Sequence, residues 1–272
     1  MNDYEVISRL DEIYDQNKWS EQEYVSGVRD ILERVAKFVL NINADNRPLI
    51  MSMIEKYHLS RFNHRHAYVT WERIRILSEK YKSVLILPVI PVGDQENSSG
   101  VAAAYDVMNA LVTRKPPGVT QRKNPYEKDV NAIKAKYVLF IDDFIASGSQ
   151  FLKMYNEVSA NLGSAKVGLY AFVIQAEGEE KIRNSGIEVF SELSRGKAIT
   201  DGFAVGSMPV DEAMAAYLKL EALIAVPKHQ TLGDRKMEAL VTMRRTPNST
   251  LPIFWCENGA GGKSWPAPFV RT

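Results

Sequence analysis

The stretch 137-YVLFIDDFIASGSQFLKMY-155 governs the reading of the chain, because a strand, an acidic pair and a small polar turn follow one another in it without interruption. Val138-Leu139-Phe140-Ile141 is a continuous apolar run with no alternation, as in a central strand of a parallel sheet covered on both faces. Asp142 and Asp143 arrive at its C-terminal end. In open α/β sheets the ligand crevice lies outside the carboxyl ends of the strands, so two carboxylates there point to a site. A helix-capping turn is the structural alternative. Ala146-Ser147-Gly148-Ser149-Gln150 then leads into Phe151-Leu152-Lys153-Met154-Tyr155, which has helical composition. A helix N-terminus after such a loop offers unpaired backbone N–H groups and the positive end of a dipole, and glycine lets the backbone curl round a phosphate-sized anion. Alternatively, Ser147 or Ser149 is an ordinary N-cap and Gly148 a turn residue.

On either side the same unit recurs. Upstream, Val84 to Ile90 reads as a strand, Pro91 to Gly100 as a polar loop and Val101 to Leu111 as a helix. Residues 112 to 131 carry Arg114, Lys115, Arg122 and Lys123 among Pro116, Pro117, Gly118 and Pro125, and read as one mobile cationic loop, whether a lid or a solvated face. Downstream come a buried strand from Ala165 to Gln175, a helix from Glu177 to Asn184 and a short edge strand from Ile187 to Phe190. Alternating β and α segments imply an α/β fold with a mainly parallel sheet. We place this core at 83–205, between an N-terminal helical extension at 1–82 and a C-terminal α+β tail at 206–272.

The extension shows apolar residues at helical spacing, with Ser20 and Glu23 set as a capping box for a second helix. His58, His64 and His66 cluster there, but positions 64 and 66 do not share a helix face and no cysteine or acidic pattern joins them, so they read as solvated or capping residues. In the tail, Asp211 to Ala225 is an amphipathic helix, and Thr246-Pro247-Asn248-Ser249 reads as a turn between two strands. Trp255, Trp265 and Phe269 make the tail too aromatic for a free linker, so it should fold back on the body.

Composition narrows the function classes. The 272 residues carry a formal net charge of +1, which gives no general electrostatic reason to bind nucleic acid. A single cysteine, Cys256, excludes an intramolecular disulfide and a multi-cysteine zinc site and fits a reducing cytoplasm. No apolar run approaches the ~20 residues that span a bilayer. The expected molecule is soluble and cytoplasmic.

Apolar strand, two acids, small residues, then a hydroxyl and a glycine resemble the phosphoribosyl pyrophosphate (PRPP) motif of type I phosphoribosyltransferases. The resemblance implies that Asp142 and Asp143 hold the ribose 2′- and 3′-hydroxyls and that Ala146, Ser147, Gly148, Ser149 and Gln150 cradle the 5′-phosphate. It places Gly93 and Asp94 in the pyrophosphate loop, Arg114 and Lys115 in a closing lid, and Gln175 to Gly178 near the second substrate. Where the family has Gly or Thr, then Thr or Ser, this chain has Ser149 and Gln150, so one hydroxyl is missing. Asp94 and Glu96 would repel a bare diphosphate, so Mg²⁺ is the implied cofactor, with Asp142 and Asp143 as indirect ligands.

The segment 233-GDRKMEALVTMRRTPNSTLPIFW-255, with Trp265 and the terminal PAPFVR, resembles the phosphoribosyltransferase-like family of bacterial antiphage loci, retron cassettes included. That resemblance implies a defence effector or its partner, encoded beside another component; the expected partners are PRPP or a nucleotide, a protein from the same defence operon, and further copies of the chain in a homo-oligomer. The expected function is Mg²⁺-dependent phosphoribosyl transfer or N-glycosidic cleavage of a nucleotide. The alternative is a catalytically silent nucleotide-binding regulator or partner protein of the same fold.

Overall fold

In the computed structural model, residues 1–26, 30–60, 64–93, 99–112, 115–127 and 134–271 are described. The chain opens with α1 (Asp3–Gln16), α2 (Trp19–Ser26), α3 (Ile31–Leu40), α4 (Arg47–Lys56) and a two-residue strand β1 (His58–Leu59). α1 starts on a reciprocal cap, in which Asn2 Oδ1 accepts the Glu5 N–H and Glu5 Oε2 accepts the Asn2 N–H, each at 2.9 Å. The Ser20–Glu23 box expected for the second helix is not made. Glu23 instead accepts the Ile31 N–H at 2.7 Å and the Tyr14 hydroxyl at 2.9 Å, so it caps the start of α3 and ties it to α1.

Next come α5 (His64–Tyr81), β2 (Val84–Pro88), α6 (Ser99–Val112), β3 (Val119–Gln121), β4 (Tyr137–Ile145), α7 (Ser149–Val158), β5 (Lys166–Gln175), α8 (Ala176–Arg183) and β6 (Glu188–Arg195). The sheet is wholly parallel in the order β3-β2-β4-β5-β6. The chain leaves β2 for β3 on one side and returns to β4 on the other, which is a topological switch point between β2 and β4. β2 pairs with β4 from Val84↔Tyr137 to Pro88↔Ile141 and stops, while β4 runs on beside β5 through Ile145↔Ile174. Pro88 and Pro91 lack the N–H that a longer ladder would need. At the other end Tyr137 passes over Gly168, where any side chain would collide with its ring, and donates to Glu188 at 2.7 Å.

β3 corrects the reading of 112–131 as a single mobile loop. Val119–Gln121 is an edge strand paired with Val84–Ile86, and Gly118, at φ +72°, turns tightly against the Lys82 carbonyl. Its three residues were concealed among proline and basic side chains.

The tail adds α9 (Val210–Glu221) and β7 (Val241–Thr242), the latter parallel to β1. It is not strand-turn-strand. Pro247 and Pro252 remove donors a hairpin would need, and side chains satisfy the backbone instead. Thr250 Oγ1 donates to Val241 O at 2.8 Å, and the Trp255 and Trp265 indoles donate to Thr250 O and Ile253 O at 2.9 Å.

Two compact units result, one of residues 62–195 and the other of 1–61 together with 196–272. These boundaries differ from 82/83 and 205/206: α5 belongs with the sheet, and the N-terminal helices share a core with the tail. In that core Tyr57 stacks on Phe269 at 4.2 Å between centroids, and Phe38 meets Phe254 at 5.4 Å and Trp265 at 6.0 Å. Among the described residues no helix is long and apolar enough to cross a membrane.

Candidate functional site at the sheet switch point

Asp142 and Asp143 stand on β4 just beyond the last β2 pair, and both are more than 90% buried. Each carboxylate accepts the N–H of the next residue at 2.9 Å, Asp142 from Asp143 and Asp143 from Phe144. Burial, and then the neighbouring Asp143 charge, holds the Asp142 carboxyl well above the usual carboxylate range. The first turn of α6 closes over this point. At Gly100 a methyl group would run into the Val89 carbonyl and lie 2.9 Å from Asp142 Oδ1. Only glycine lets the helix N-terminus come so near the acid pair.

β4 continues to Ile145, so the turn is Ala146 to Gly148, and Ser149 and Gln150 are the first residues of α7. Gly148 occupies the N-cap at φ +69° with no side-chain cap, which sets aside Ser147 or Ser149 as an ordinary N-cap. The turn is backed by one face of α8. A Cβ on Gly178 would overlap the Ala146 carbonyl and lie 3.1 Å from Gly148 N, and Ile182 lies 3.0 Å from where a Gly148 methyl would be. From the same face Lys181 donates to Ser149 Oγ at 2.7 Å, while Ser147 donates to Ser149 Oγ at 3.3 Å.

Lys181 escaped the sequence reading. Its signal is the spacing of Gly178, Lys181 and Ile182, which share a helix face, but only the fold shows what that face covers.

Gly93 lies exposed in a turn beyond β2, at φ +88°. Asp94 and Arg114 lie outside the described residues. Lys115 is exposed just ahead of β3, where Gly118 O accepts the Val84 N–H at 3.0 Å and Pro117 O accepts the Ser78 hydroxyl. That is the amino end of the sheet, away from Asp142. Arg122 and Lys123 instead leave β3 at the carboxyl end, where the Arg122 N–H reaches Ile86 O and Tyr126 donates to Ile90 O, both at 3.1 Å. Gln175, at the end of β5, is 2% exposed.

His66 is buried rather than solvated, pairing through Nδ1 with Glu192 Oε2 at 2.7 Å and stacking on Phe172. Among the described residues no group of three or more His, Cys, Asp or Glu is placed to hold a metal ion.

A family model, PRTase-CE, matches residues 17–271. The chain belongs to the PRTase-CE family. That match takes in the acid pair, the turn and the tail alike, and agrees with the phosphoribosyltransferase class read from the strand, acids and turn. No curated protein matches this PRTase-CE chain. Among solved structures it is similar to orotate phosphoribosyltransferase of Mycobacterium tuberculosis in complex with PRPP, at 18% identity over 54% of this chain and 78% of that one, with a TM-score of 0.31. It is likewise similar to the Aeropyrum pernix orotate phosphoribosyltransferase, at 14% identity over 48% and 72% with a TM-score of 0.32. A Neisseria gonorrhoeae protein with bound ppGpp matches at 12% identity over 59% and 96%, with a TM-score of 0.33.

Proposed function

We propose that this PRTase-CE chain binds a 5-phosphorylated ribose at the β2/β4 switch point and transfers or releases the group on its C1, from PRPP or from a ribonucleotide. One observation carries the reading: a buried acid pair stands near the end of β4, and a three-residue turn joins that strand to a helix N-terminus that no side chain caps. The α7 N–H groups and the Ser147 and Ser149 hydroxyls suit a phosphate, which a helix start attracts. Asp142 and Asp143, near the carboxyl end of the strand that leads into the turn, would accept the ribose hydroxyls.

In the transfer, the bond from C1 to diphosphate or base breaks with its electron pair leaving on that group. A bond from C1 to the acceptor forms, and the acceptor's proton passes to the departing group or to water. Positive charge builds on C1 in between, and the buried carboxylates stabilise it from a site of low dielectric. Holding sugar and phosphate rigidly supplies most of the remaining rate.

Mg²⁺ fits this donor set as an ion carried by the ligand. Two carboxylates do not make an all-protein cage, but Mg²⁺ on a diphosphate needs only one or two of them, with water completing the shell. When bound, it would neutralise charge on the departing diphosphate. The tail resemblance supports a place in antiphage defence, and plaque counts on cells carrying the locus with and without Asp142→Asn/Asp143→Asn test that part.

Mass spectrometry of the protein with Mg²⁺ and either PRPP or ribonucleotides tests the chemistry. Loss of PRPP or release of a base by the parent, and not by Asp142→Asn/Asp143→Asn, is expected. Binding without turnover would favour the sensor reading, which the exposed Gln150 in place of a hydroxyl supports. No binding of any phosphorylated ribose would remove the site.

A further inference from the structure

We infer that Lys181 is a phosphate-binding residue of this site, supplying from α8 the contact that Gln150 does not make from α7. This rests on the reading of the 146–150 turn as the phosphate cradle. Three observations place the ammonium there by construction.

Gly178, Lys181 and Ile182 lie on one face of α8, and that face is pressed on the turn so closely that a methyl at Gly178 has no room. The helix backbone is thus held against Ala146 and Gly148, and Lys181, one turn on, reaches the first residue of α7. Next, Lys181 Nζ and Ser147 Oγ both donate to Ser149 Oγ, at 2.7 and 3.3 Å. A hydroxyl has two lone pairs and one proton, so Ser149 with both lone pairs engaged has only its O–H left to give, and asks for an acceptor. Finally, Lys181 is exposed, so its ammonium is free to swing from the hydroxyl to an anion seated in the turn.

The ligand class that satisfies this set is a phosphomonoester. Its oxygens would accept from Ser149 Oγ and the α7 N–H groups, while Lys181 adds a charge-assisted hydrogen bond. A lysine is a point charge with rotatable donors, suited to a dianion that needs charge more than a fixed fork. The consequence is selectivity for the 5′-phosphate: a ribose or nucleoside lacking it loses the lysine contact along with the helix contacts.

Calorimetric titration of ribose 5-phosphate and of ribose into the parent, Lys181→Gln, Lys181→Arg and Asp142→Asn/Asp143→Asn tests the assignment. Lys181→Gln should bind ribose 5-phosphate roughly 10- to 100-fold more weakly, the worth of one hydrogen bond to a charged group. Its affinity should also fall less steeply than the parent's as salt is raised, because one screened charge is gone. Lys181→Arg should retain most of the binding. Melting of the unliganded Lys181→Gln protein should match the parent, since the bond lost is at the surface. Equal binding and equal salt dependence in Lys181→Gln would overturn the inference alone, leaving the cradle intact if the aspartate variant is impaired. A parent that binds no ribose 5-phosphate would overturn both.

Discussion

Burying Asp142 beside Asp143 raises the free energy of the ionised form, so the folded protein holds that proton to higher pH than the unfolded chain does. The sign follows: stability from this group is fully present below the unfolded value near ~3.9 and is lost as pH rises through the higher folded value. Above the unfolded value the fold's resistance to ionising Asp142 therefore costs stability. Asp142→Asn should therefore melt higher than the parent at pH 7, by about 2–4 °C for each kcal/mol relieved, with the gap closing toward pH 4. The same variant should lose stabilisation by ribose 5-phosphate, as function and stability pull in opposite directions here. Melting curves from pH 4 to 8 check it, and an unliganded Asp142→Asn protein no more stable than the parent at pH 7 would exclude Asp142 as a source of the pH dependence.

Glu221 shows the same sign in the other unit. Burial pushes it up to about 7, although Leu232 N donates to both its oxygens, at 3.0 and 3.3 Å. Stability should fall by about 1–2 kcal/mol from pH ~4.5 to ~7 on this account, discounted for partial solvation. Glu221→Gln should flatten that slope in urea unfolding, and an unchanged slope would exclude Glu221 as its source.

At the scale of elements, the contact of α8 with the turn is the sharpest constraint in the site. Gly178→Ala places a methyl on the Ala146 carbonyl, so α8 or the turn must shift. A loss of about 1–3 kcal/mol in stability is expected, the range for overpacking, with weaker binding of ribose 5-phosphate. Retained affinity in a crystallographically unshifted variant would contradict the packing described.

Sequence made the strands legible because an apolar run covered on both faces needs no partner to be recognised, and Val138 to Ile141 is such a run. The acids and the turn followed because they are contiguous with it. Lys181 did not, since it meets Ser149 across 32 positions of chain through helix packing. Lys115 and Arg122 read as parts of one mobile loop, whereas a short strand between them sends one to each end of the sheet. The tail's hairpin was expected from its turn residues, yet prolines at 247 and 252 removed the donors, and threonine hydroxyls and indole N–H groups took over.

For the whole molecule, the decisive fact is that the first 61 residues share their core with the last 77 or so, counted from 196 to 272. Phe254, Trp265 and Phe269 fill it from the tail side and meet Phe38, Tyr57 and Trp19. A chain cut after Thr250 loses these aromatic contacts, each ring worth roughly 3–5 kcal/mol by the cost of Phe or Trp truncation. Hydrogen exchange should then show α1, α3 and α4 unprotected while β2, β4 and β5 keep their protection. Undiminished protection in the helices would show that the tail is not part of their core.

The same arrangement sets an order of events at the ribosome. Residues 62–195 are made in one piece, so the sheet has all its strands as soon as they emerge. The helices made before it must wait for Phe254 to Phe269, roughly 200 residues later, or about 10–40 s at ~5–20 residues per second. During that interval Leu10, Val35, Phe38 and Ile54, all wholly buried in the finished fold, have no tail to cover them. The newborn protein thus carries its acid pair and turn before its N-terminal helices have a complete core, and those helices are the stretch on which a holding chaperone would act.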